Sequence, residues 1–367
     1  MIKVWDYRDE YESEKADVRA AIDEVLTSGQ LVLGPKVAEF EAAFSASCDT
    51  AWGVGVNSGT DALFLALRAL GVQAGDEVVT VSNTAVPTVA AIVSTGASPV
   101  FVDVDPDTYL MDVSQLKGAV SERTRCLLPV HLFGQCVDMD TVRAVARYHG
   151  LSVVEDCAQS HGARFNGEIA GSMSDLAAFS FYPTKILGGY GDGGMICGTD
   201  EALERACRRL RMYGMEGRYY AEEHGYNSRL DELHAAILLT KLARLDEYVT
   251  RRRELARLYN ELLAETDLVL PVTARGNHHA YYRYVVRHSQ RDAIVAKLEK
   301  EEVFLTISYP WPIHTMPAYR HFGYVKGDLP HTERVQQEIF SLPMYPSLTT
   351  AAVEMVVDKL RAILSIL

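Results

Sequence analysis

The chain has 367 residues, 48% of them apolar and 23% charged, and a formal net charge of −13. A chain of this length exceeds the size at which a single core stops growing, so we expect two domains, or one large and one small. The acidic balance argues against sequence-independent nucleic-acid binding, and no apolar run approaches the ~20 residues of a membrane span.

Short apolar runs alternate with amphipathic stretches along the first 160 residues. The pattern predicts helices at residues 15–27, 37–48, 60–71, 88–96, 112–120 and 139–150. It predicts strands at residues 52–58, 77–83, 99–105, 125–134 and 151–159. Buried strands that alternate with helices indicate a mostly parallel sheet covered on both faces. Ligands of such sheets bind at the carboxyl ends of the strands, where Asp156, Asn83 and the turn 57–60 fall.

The character of the sequence changes near residue 241. Residues 241–266 predict one long, charged amphipathic helix that connects two parts of the chain. Residues 278–288 and 301–310 are predicted as strands of a smaller α+β domain. We therefore place the large domain at about residues 30–245.

Two polar residues follow apolar runs and indicate a cofactor. Asp156 ends the run LSVVED, and Lys185 ends the run LAAFSFYPTK. A carboxylate and a lysine so placed hold pyridoxal 5′-phosphate (PLP): the carboxylate pairs with the protonated ring nitrogen, and the amine carries the aldehyde as a Schiff base. Taken singly, such an Asp is more often a helix cap and such a Lys is usually solvated. Together with Gln159, Ser180 and the glycine run 188–194, they indicate PLP binding.

These segments resemble a known family. LSVVEDCAQSHGA and LAAFSFYPTKILGGYGDGGMI are similar to the DegT/DnrJ/EryC1 family of PLP-dependent nucleotide-sugar aminotransferases, and the resemblance extends from residues 34–44 to 339–346. It implies an α/β chain with the PLP-dependent aspartate-aminotransferase fold (fold type I). The large domain of that fold carries a mostly parallel, seven-stranded type of sheet. Residues 1–29 and 246–367 would together form the small domain.

The resemblance also implies ligands for the PLP phosphate. It assigns Gly59 and Thr60 of VNSGTDAL to the phosphate, with Thr60 capping the helix whose positive end attracts the anion. Without the resemblance, this segment is simply a well-capped helix. Ser180 would add a hydroxyl group at the same place, and Gln159 would contact the cofactor ring or its phenolic oxygen.

The segment GYNSRLDELHAA is similar to the Y-N-x-R segment of the family. There the asparagine reaches the cofactor phosphate of the neighbouring subunit, so Asn227 implies a homodimer with shared active sites. The alternative is an asparagine that caps the next helix. The run GGYGDGG matches G-x-G-x-x-G, but it lies between Lys185 and a strand, so we reject a nicotinamide site. We expect its glycines to allow tight packing around the Schiff base instead.

One position departs from the family pattern. The family usually places an aromatic residue after the second strand to stack on the pyridine ring, and Ala85 stands there in this chain. We consider His161, His314 and Tyr309 for the substrate side. SNTAVPTVAAI and EDCAQSHGA look more like the branch that aminates C-3 of thymidine-diphosphate (dTDP) 3-keto-6-deoxyhexoses. Ala85 opens space on one ring face, and we expect His161 to point into it.

The sequence therefore predicts an aminotransferase that moves an amino group, with glutamate as the usual donor, to C-3 of such a sugar nucleotide. Lys185 and Asp156 are the predicted catalytic residues. A C-4 aminotransferase acting on a 4-keto sugar nucleotide is the alternative. A PLP-dependent sugar dehydratase is disfavoured, because relatives of that kind carry His where Lys185 stands. A non-catalytic PLP-binding regulator is expected to carry a DNA-binding domain, which the first 30 residues do not provide.

Six scattered cysteines, with no CxxC pair and no metal-ligand spacing, fit reduced thiols in a cytoplasmic enzyme. The N-terminal sequence is acidic and lacks the apolar stretch of a secretory signal. Cys157 follows Asp156 but has no basic neighbour, so we expect a buried small hydrophobic residue. We expect no metal, nucleic-acid or membrane partner.

Overall fold

The structure is a computed structural model that describes residues 1–367. The helices are α1 (Arg8–Ser28), α2 (Pro35–Ser47), α3 (Gly59–Ala69), α4 (Val86–Ser94), α5 (Leu116–Ala119), α6 (Met139–His149), α7 (Glu201–Leu210), α8 (Glu232–Leu242), α9 (Leu245–Leu263), α10 (Arg291–Lys300), α11 (Pro330–Glu338) and α12 (Thr350–Leu364). The strands are β1 (Ile2–Lys3), β2 (Trp52–Val56), β3 (Glu77–Val81), β4 (Ser98–Val102), β5 (Thr124–Leu127), β6 (Ser152–Asp156), β7 (Arg164–Phe165), β8 (Glu168–Ile169), β9 (Leu176–Ser180), β10 (Gly194–Gly198), β11 (Asn277–His278), β12 (Tyr284–Arg287), β13 (Val303–Phe304) and β14 (Ile339–Leu342).

Seven strands form the central sheet, in the spatial order β2-β10-β9-β6-β5-β3-β4. β10 runs antiparallel to both of its neighbours, and the other paired strands run parallel. Every residue of β2, β3, β9 and β10 is buried, as expected for strands covered on both faces. The predicted α/β fold with a mostly parallel, seven-stranded sheet is confirmed.

The second half of the chain departs from the predicted elements. The single helix expected at 241–266 is interrupted, because α8 ends at Leu242 and α9 begins at Leu245. Arg244, at the break, donates hydrogen bonds to Glu14 of α1 and Glu247 of α9. The strand expected at 278–288 is also broken, since Tyr281 has a positive φ of 49° that extended backbone does not allow.

The strand expected at 301–310 is reduced to the two residues of β13. After β13, Thr306 forms a single bridge with Ser341 of β14, and the chain then runs to the segment that follows β6. There the Tyr309 hydroxyl accepts a hydrogen bond from Gln159. The extended segment therefore serves a contact between the two parts of the chain rather than a longer ladder.

Apolar side chains form two main cores. The larger has 67 buried residues around the central sheet, and the second has 20, all of them beyond residue 254. β1 pairs with β13, whereas α1 packs on α8, so the N-terminal segment contacts both parts. The domain bounds of 30–245 for the large domain, and of 1–29 with 246–367 for the small one, stay a prediction. No helix combines the length and the apolar character needed to cross a bilayer.

Candidate active site

The carboxyl ends of the central strands border a pocket of about 250 Å³. Its lining includes most of the residues that the sequence assigned to a cofactor. They are Gly59, Thr60, Asp156, Gln159, Ser180 and Lys185. These residues come from three separate segments of the chain, and the parallel strands bring their ends to one edge of the sheet.

Asp156 is the last residue of β6 and is buried at the base of this pocket. Its Oδ2 accepts a hydrogen bond from Thr88 Oγ1 at 2.8 Å, and its Oδ1 accepts one from the Ala158 N–H at 3.1 Å. Burial raises the pKa of Asp156, while the bond from Thr88 and the charge of Lys185 oppose that rise. A carboxylate has about four lone-pair sites, so Asp156 can still accept a bond from a protonated ring nitrogen.

Lys185 lies in the loop between β9 and β10, where its N–H donates to the Tyr182 carbonyl at 2.8 Å. Its amine forms no salt bridge, in contrast to the buried Lys241, which pairs with Glu10 and Glu14. The Nζ atom lies 4.9 Å from the centroid of the Tyr282 ring. The amine therefore lies in the pocket without a carboxylate partner, which leaves it free to form a covalent bond with a cofactor aldehyde.

Tyr282 lies under the amine of Lys185, and no sequence pattern predicts its role. Its hydroxyl shares a hydrogen bond of 3.0 Å with Thr184 Oγ1, although the two residues are 98 positions apart. Burial acts to raise the pKa of Tyr282, but the charges of Lys185 and Arg283 outweigh burial and lower this pKa to about 8. No local pattern predicts so distant a contact.

The N-terminus of α3 forms one end of the pocket. Ser58 is the N-cap residue, and its Oγ accepts a bond from the Asp61 N–H at 3.1 Å. The expectation that Thr60 caps this helix is therefore wrong, since Thr60 lies within the first turn. A Cβ atom at Gly59 would lie 2.6 Å from Ser180 Cβ, so only glycine lets the helix approach β9 this closely. Hydroxyl groups at a positive helix end make a site that fits a phosphate.

Gln159 links the pocket to the segment that follows β13. Its Oε1 accepts from the Phe133 N–H at 2.9 Å, and its Nε2 donates to the Tyr309 hydroxyl at 2.8 Å. Burial raises the pKa of Tyr309 and keeps the phenol neutral. Tyr309 thus lies beside the cofactor candidates, and its contact with a substrate stays a prediction.

The two histidines proposed for the substrate side do not reach the pocket. His161 is 2% exposed and packs against Phe44, Phe179 and Phe181, behind the sheet. Neither of its ring nitrogens has a hydrogen-bond partner, and burial lowers its pKa to about 3. The expectation that His161 points into space beside Ala85 is therefore wrong, although Ala85 itself lines the pocket.

His314 is fully buried in a separate polar contact. Its Nδ1 is 2.8 Å from Ser82 Oγ, and its Nε2 is 3.1 Å from Glu333 Oε1. Both nitrogens are therefore used within the fold. His314 connects the segment before α11 to the end of β3, and it does not offer a group to a substrate.

Asn227 is exposed and lies outside the pocket. Its carbonyl accepts a bond from Asn57 Nδ2 at 3.1 Å, beside the N-terminus of α3. The alternative role as a helix cap is not seen, because α8 begins at Glu232 with Asp231 at the N-cap position. The asparagine side chain makes no hydrogen bond within the chain.

The glycines after Lys185 are sites of close packing. A Cβ atom at Gly188 would lie 2.4 Å from the Pro183 carbonyl oxygen, and one at Gly194 would lie 2.3 Å from the Ser58 carbonyl oxygen. These contacts hold the lysine loop against β9 and the turn before α3. The tight packing expected of this run is present, and Cys157 is fully buried as predicted.

Comparisons with known proteins agree with this geometry. The model of the DegT/DnrJ/EryC1/StrS aminotransferase family matches residues 12–361. The chain is 52% identical to dTDP-3-amino-3,4,6-trideoxy-alpha-D-glucose transaminase of Micromonospora megalomicea subsp. nigra, over 99% of this chain and 98% of the relative.

Two solved structures are similar over almost the whole chain. The crystal structure of Streptomyces venezuelae DesV in complex with a ketimine intermediate has a TM-score of 0.96 and 43% identity, and the match covers 97% of this chain and 96% of DesV. Bacillus subtilis NtdA with bound cofactor PMP has a TM-score of 0.90 and 30% identity, over 96% of this chain and 82% of NtdA. These similarities confirm the aminotransferase fold expected from the sequence. The chain belongs to the DegT/DnrJ/EryC1/StrS aminotransferase family.

Proposed function

We propose that this enzyme transfers an amino group from glutamate to C-3 of a dTDP-linked 3-keto-6-deoxyhexose. The observation that carries the proposal is the unpaired amine of Lys185 in one pocket with the buried carboxylate of Asp156. A covalent cofactor site needs both groups. The choice of C-3 is supported by the relative from Micromonospora, whose name places the amino group at that carbon.

The residues of the pocket fit PLP. The N-terminus of α3, with Gly59, Thr60 and Ser180, would hold the phosphate, and Asp156 would hold the protonated ring nitrogen. Gln159 would contact the ring. PLP, when bound, supplies an electron sink that stabilises negative charge on the carbon that loses a proton.

Asp156 and Lys185 have separate tasks. Thr88 and the Ala158 N–H orient the Asp156 carboxylate, so its remaining lone pairs face the pocket. The amine of Lys185 has no carboxylate partner, so it is free to carry the proton from the carbon that bears the donor amino group. Tyr282 and Thr184 hold the loop that carries this amine, which keeps it in reach of that carbon.

The regiochemistry is tested by turnover on two kinds of sugar. The protein is incubated with PLP, glutamate and a panel of dTDP-linked 3-keto and 4-keto sugars, and the aminated products are detected by mass spectrometry. We expect a higher kcat/KM for 3-keto sugars. A preference for 4-keto sugars would show a C-4 enzyme, and the absence of any aminated sugar would overturn the proposed function.

We further propose a cytoplasmic homodimer in which Asn227 completes the partner's cofactor site. Six free, buried cysteines support the compartment, and the exposed, unbonded Asn227 side chain supports the assembly. The test mixes two variants that we expect to be inactive alone, Lys185→Ala and Asn227→Ala. Exchange of subunits would give mixed dimers with one intact site, and so roughly a quarter of wild-type activity. No recovery after proven exchange would contradict the shared site.

A further inference from the structure

One buried arginine differs from all the others. Five arginines are buried: Arg211, Arg252, Arg283, Arg287 and Arg291. Four of them have carboxylate or main-chain carbonyl acceptors. Arg283 has neither, because its Nε has no partner and its only side-chain bond is a long one of 3.5 Å from Nη2 to the Tyr282 hydroxyl.

An arginine in this state is unfavourable for the fold alone. Arg283 is 7% exposed, so water replaces few of the missing bonds. A buried charge without a partner is strongly unfavourable in a folded protein. Buried polar groups are nearly always satisfied, so the exception indicates a partner that comes from outside the chain.

Arg283 lies close to the candidate active site, although it lines a small neighbouring cavity rather than the pocket itself. Its Cζ is 4.9 Å from the centroid of the Tyr282 ring, and Lys185 Nζ is at the same distance from that centroid. The two cations therefore lie within twice that distance of each other. The charge of Arg283 also acts on Tyr309, which contacts Gln159 in the pocket.

We propose that the guanidinium of Arg283 binds a carboxylate of the amino donor. This inference rests on the proposed function. An amino acid carries a carboxylate on the carbon next to its reacting nitrogen, which must come to Lys185. A guanidinium can bind a carboxylate through two parallel hydrogen bonds, which fixes the orientation of the donor as well as its affinity.

The other anions of the reaction fit this position less well. The cofactor phosphate has its own site at the N-terminus of α3, where Gly59 and Ser180 meet. The diphosphate of a sugar nucleotide must extend from the sugar towards solvent, whereas Arg283 is almost completely buried. A small dicarboxylic amino acid that binds deep in the site matches both the charge and the depth of this residue.

The test separates the two half-reactions. The PLP form of each protein is titrated with glutamate in the absence of sugar, and the loss of visible absorption gives the donor's apparent Kd. The PMP form is mixed separately with the keto sugar. We expect Arg283→Gln to raise the Kd for glutamate by about 10- to 100-fold, as the loss of a charged hydrogen bond implies. The sugar half-reaction and the PLP absorption should not change.

Two further variants complete the test. Arg283→Lys keeps the charge but loses the paired bonds, so it should recover part of the affinity and serves if Arg283→Gln does not fold. Arg287→Gln removes a buried arginine that already pairs with Glu338, so it should lower stability but leave the Kd for glutamate unchanged. If the Arg283 variants raise the Kd values for glutamate, glutamine and alanine equally, Arg283 binds the α-carboxylate. If they raise only the Kd for glutamate, Arg283 binds the side-chain carboxylate.

Two outcomes would overturn the proposal. One is an unchanged Kd for glutamate in both Arg283 variants. The other is equal weakening of both half-reactions together with lost PLP absorption, which indicates a structural role. A wild-type protein that reacts with glutamate but aminates no sugar would end the proposed function and leave the role of Arg283 in donor binding intact.

Discussion

Glu155 and Asp156 are neighbours on β6, both are buried, and they face opposite sides of the sheet, as successive strand residues do. Glu155 accepts four hydrogen bonds, from His131 Nε2, Gly171 N, Met173 N and Ser174 Oγ. Asp156 accepts two and faces the pocket. The first carboxylate has no capacity left for a ligand, whereas the second one does.

The same difference separates other pairs of residues. Lys241 is enclosed by glutamates of α1, and Lys185 has no carboxylate partner. Arg211 is paired with Glu41, whereas Arg283 has no carboxylate partner. In each of these pairs the member with carboxylate or backbone partners holds the fold together, and the other member lies in the pocket or beside it. Proteins accept such costs where binding or chemistry needs the free group.

Removal of the unpaired lysine should have the largest effect. Lys185→Ala loses the nucleophile and the proton carrier together, so we expect turnover to fall by about 10⁴-fold or more. The visible absorption of the PLP-loaded protein should also be lost. Lys117→Ala, which removes an exposed lysine of α5, is the control and should keep both. A Lys185→Ala protein with wild-type turnover would falsify the aminotransferase proposal.

Exchange of the two neighbouring carboxylates for amides should give opposite results. Asp156→Asn should lower turnover by roughly 10²- to 10⁴-fold, because the amide does not stabilise a protonated ring nitrogen. Glu155→Gln should keep turnover per folded molecule but lower the free energy of unfolding by about 3–5 kcal/mol, since it places an amide NH₂ among four donors. Kinetics and thermal melts measure both. A similar loss of activity in both variants would contradict the distinction.

The pH dependence of stability without PLP sharpens this prediction. Burial raises the pKa of Asp156 in the folded state, so the folded protein holds this proton more tightly than the unfolded chain. The resulting stability is complete below the unfolded pKa of about 4 and is lost as the pH rises through the folded pKa. The Asp156→Asn variant has no carboxyl group to titrate at this position, so it does not lose stability in this way as the pH rises. Its melting temperature relative to wild type should therefore increase with pH above about 4.

A substitution that disturbs the close contact between α3 and β9 should have a smaller effect on stability and on PLP affinity. Gly59→Ala places a Cβ against Ser180, and such overpacking costs about 1–3 kcal/mol. If α3 shifts to relieve the contact, the affinity for PLP should fall about tenfold. Gly118→Ala is the control, because a Cβ there meets no atom within 4 Å. Equal PLP affinities by spectral titration would show that the approach of α3 does not shape the phosphate site.

The sequence was sufficient for groups that follow from local pattern. Asp156 and Lys185 end apolar runs, and the rule that ligands bind at the carboxyl ends of parallel strands brings those ends together. The sheet follows from the alternation of strands and helices. Gly59 and Ser180 were found through the resemblance, and their mutual contact explains why glycine is needed.

Contacts between distant segments were not predictable in this way. Thr88, Tyr282 and Arg283 have no local signature, since each acquires its place only when the chain has folded around the pocket. His161 shows the opposite error. Its short separation from Asp156 suggested a shared site, but the turn at 157–160 carries the chain to the other face of the sheet.

His161 provides the smallest predicted effect and the sharpest test of that error. Its imidazole has no hydrogen-bond partner and lies among three phenylalanines, so His161→Phe should not reduce stability at neutral pH by more than about 1 kcal/mol. Its pKa of about 3 in the folded state lies below the unfolded value of about 6.5. The wild type therefore loses stability as the pH falls from about 6.5 to about 3, because the unfolded chain binds a proton at His161 more readily than the folded protein does. His161→Phe lacks this contribution to the loss.

A measurement of turnover tests whether His161 contacts the substrate. Because the residue lies behind the sheet, His161→Phe should keep kcat/KM on the keto sugar within about twofold of wild type, with unchanged PLP absorption. A residue that oriented the sugar would instead lose a hydrogen bond, and kcat/KM would fall by about tenfold or more. The measurement is made at pH 7.5, where the imidazole is neutral in either case. A large loss there, with normal stability, would mean that His161 reaches the substrate after all.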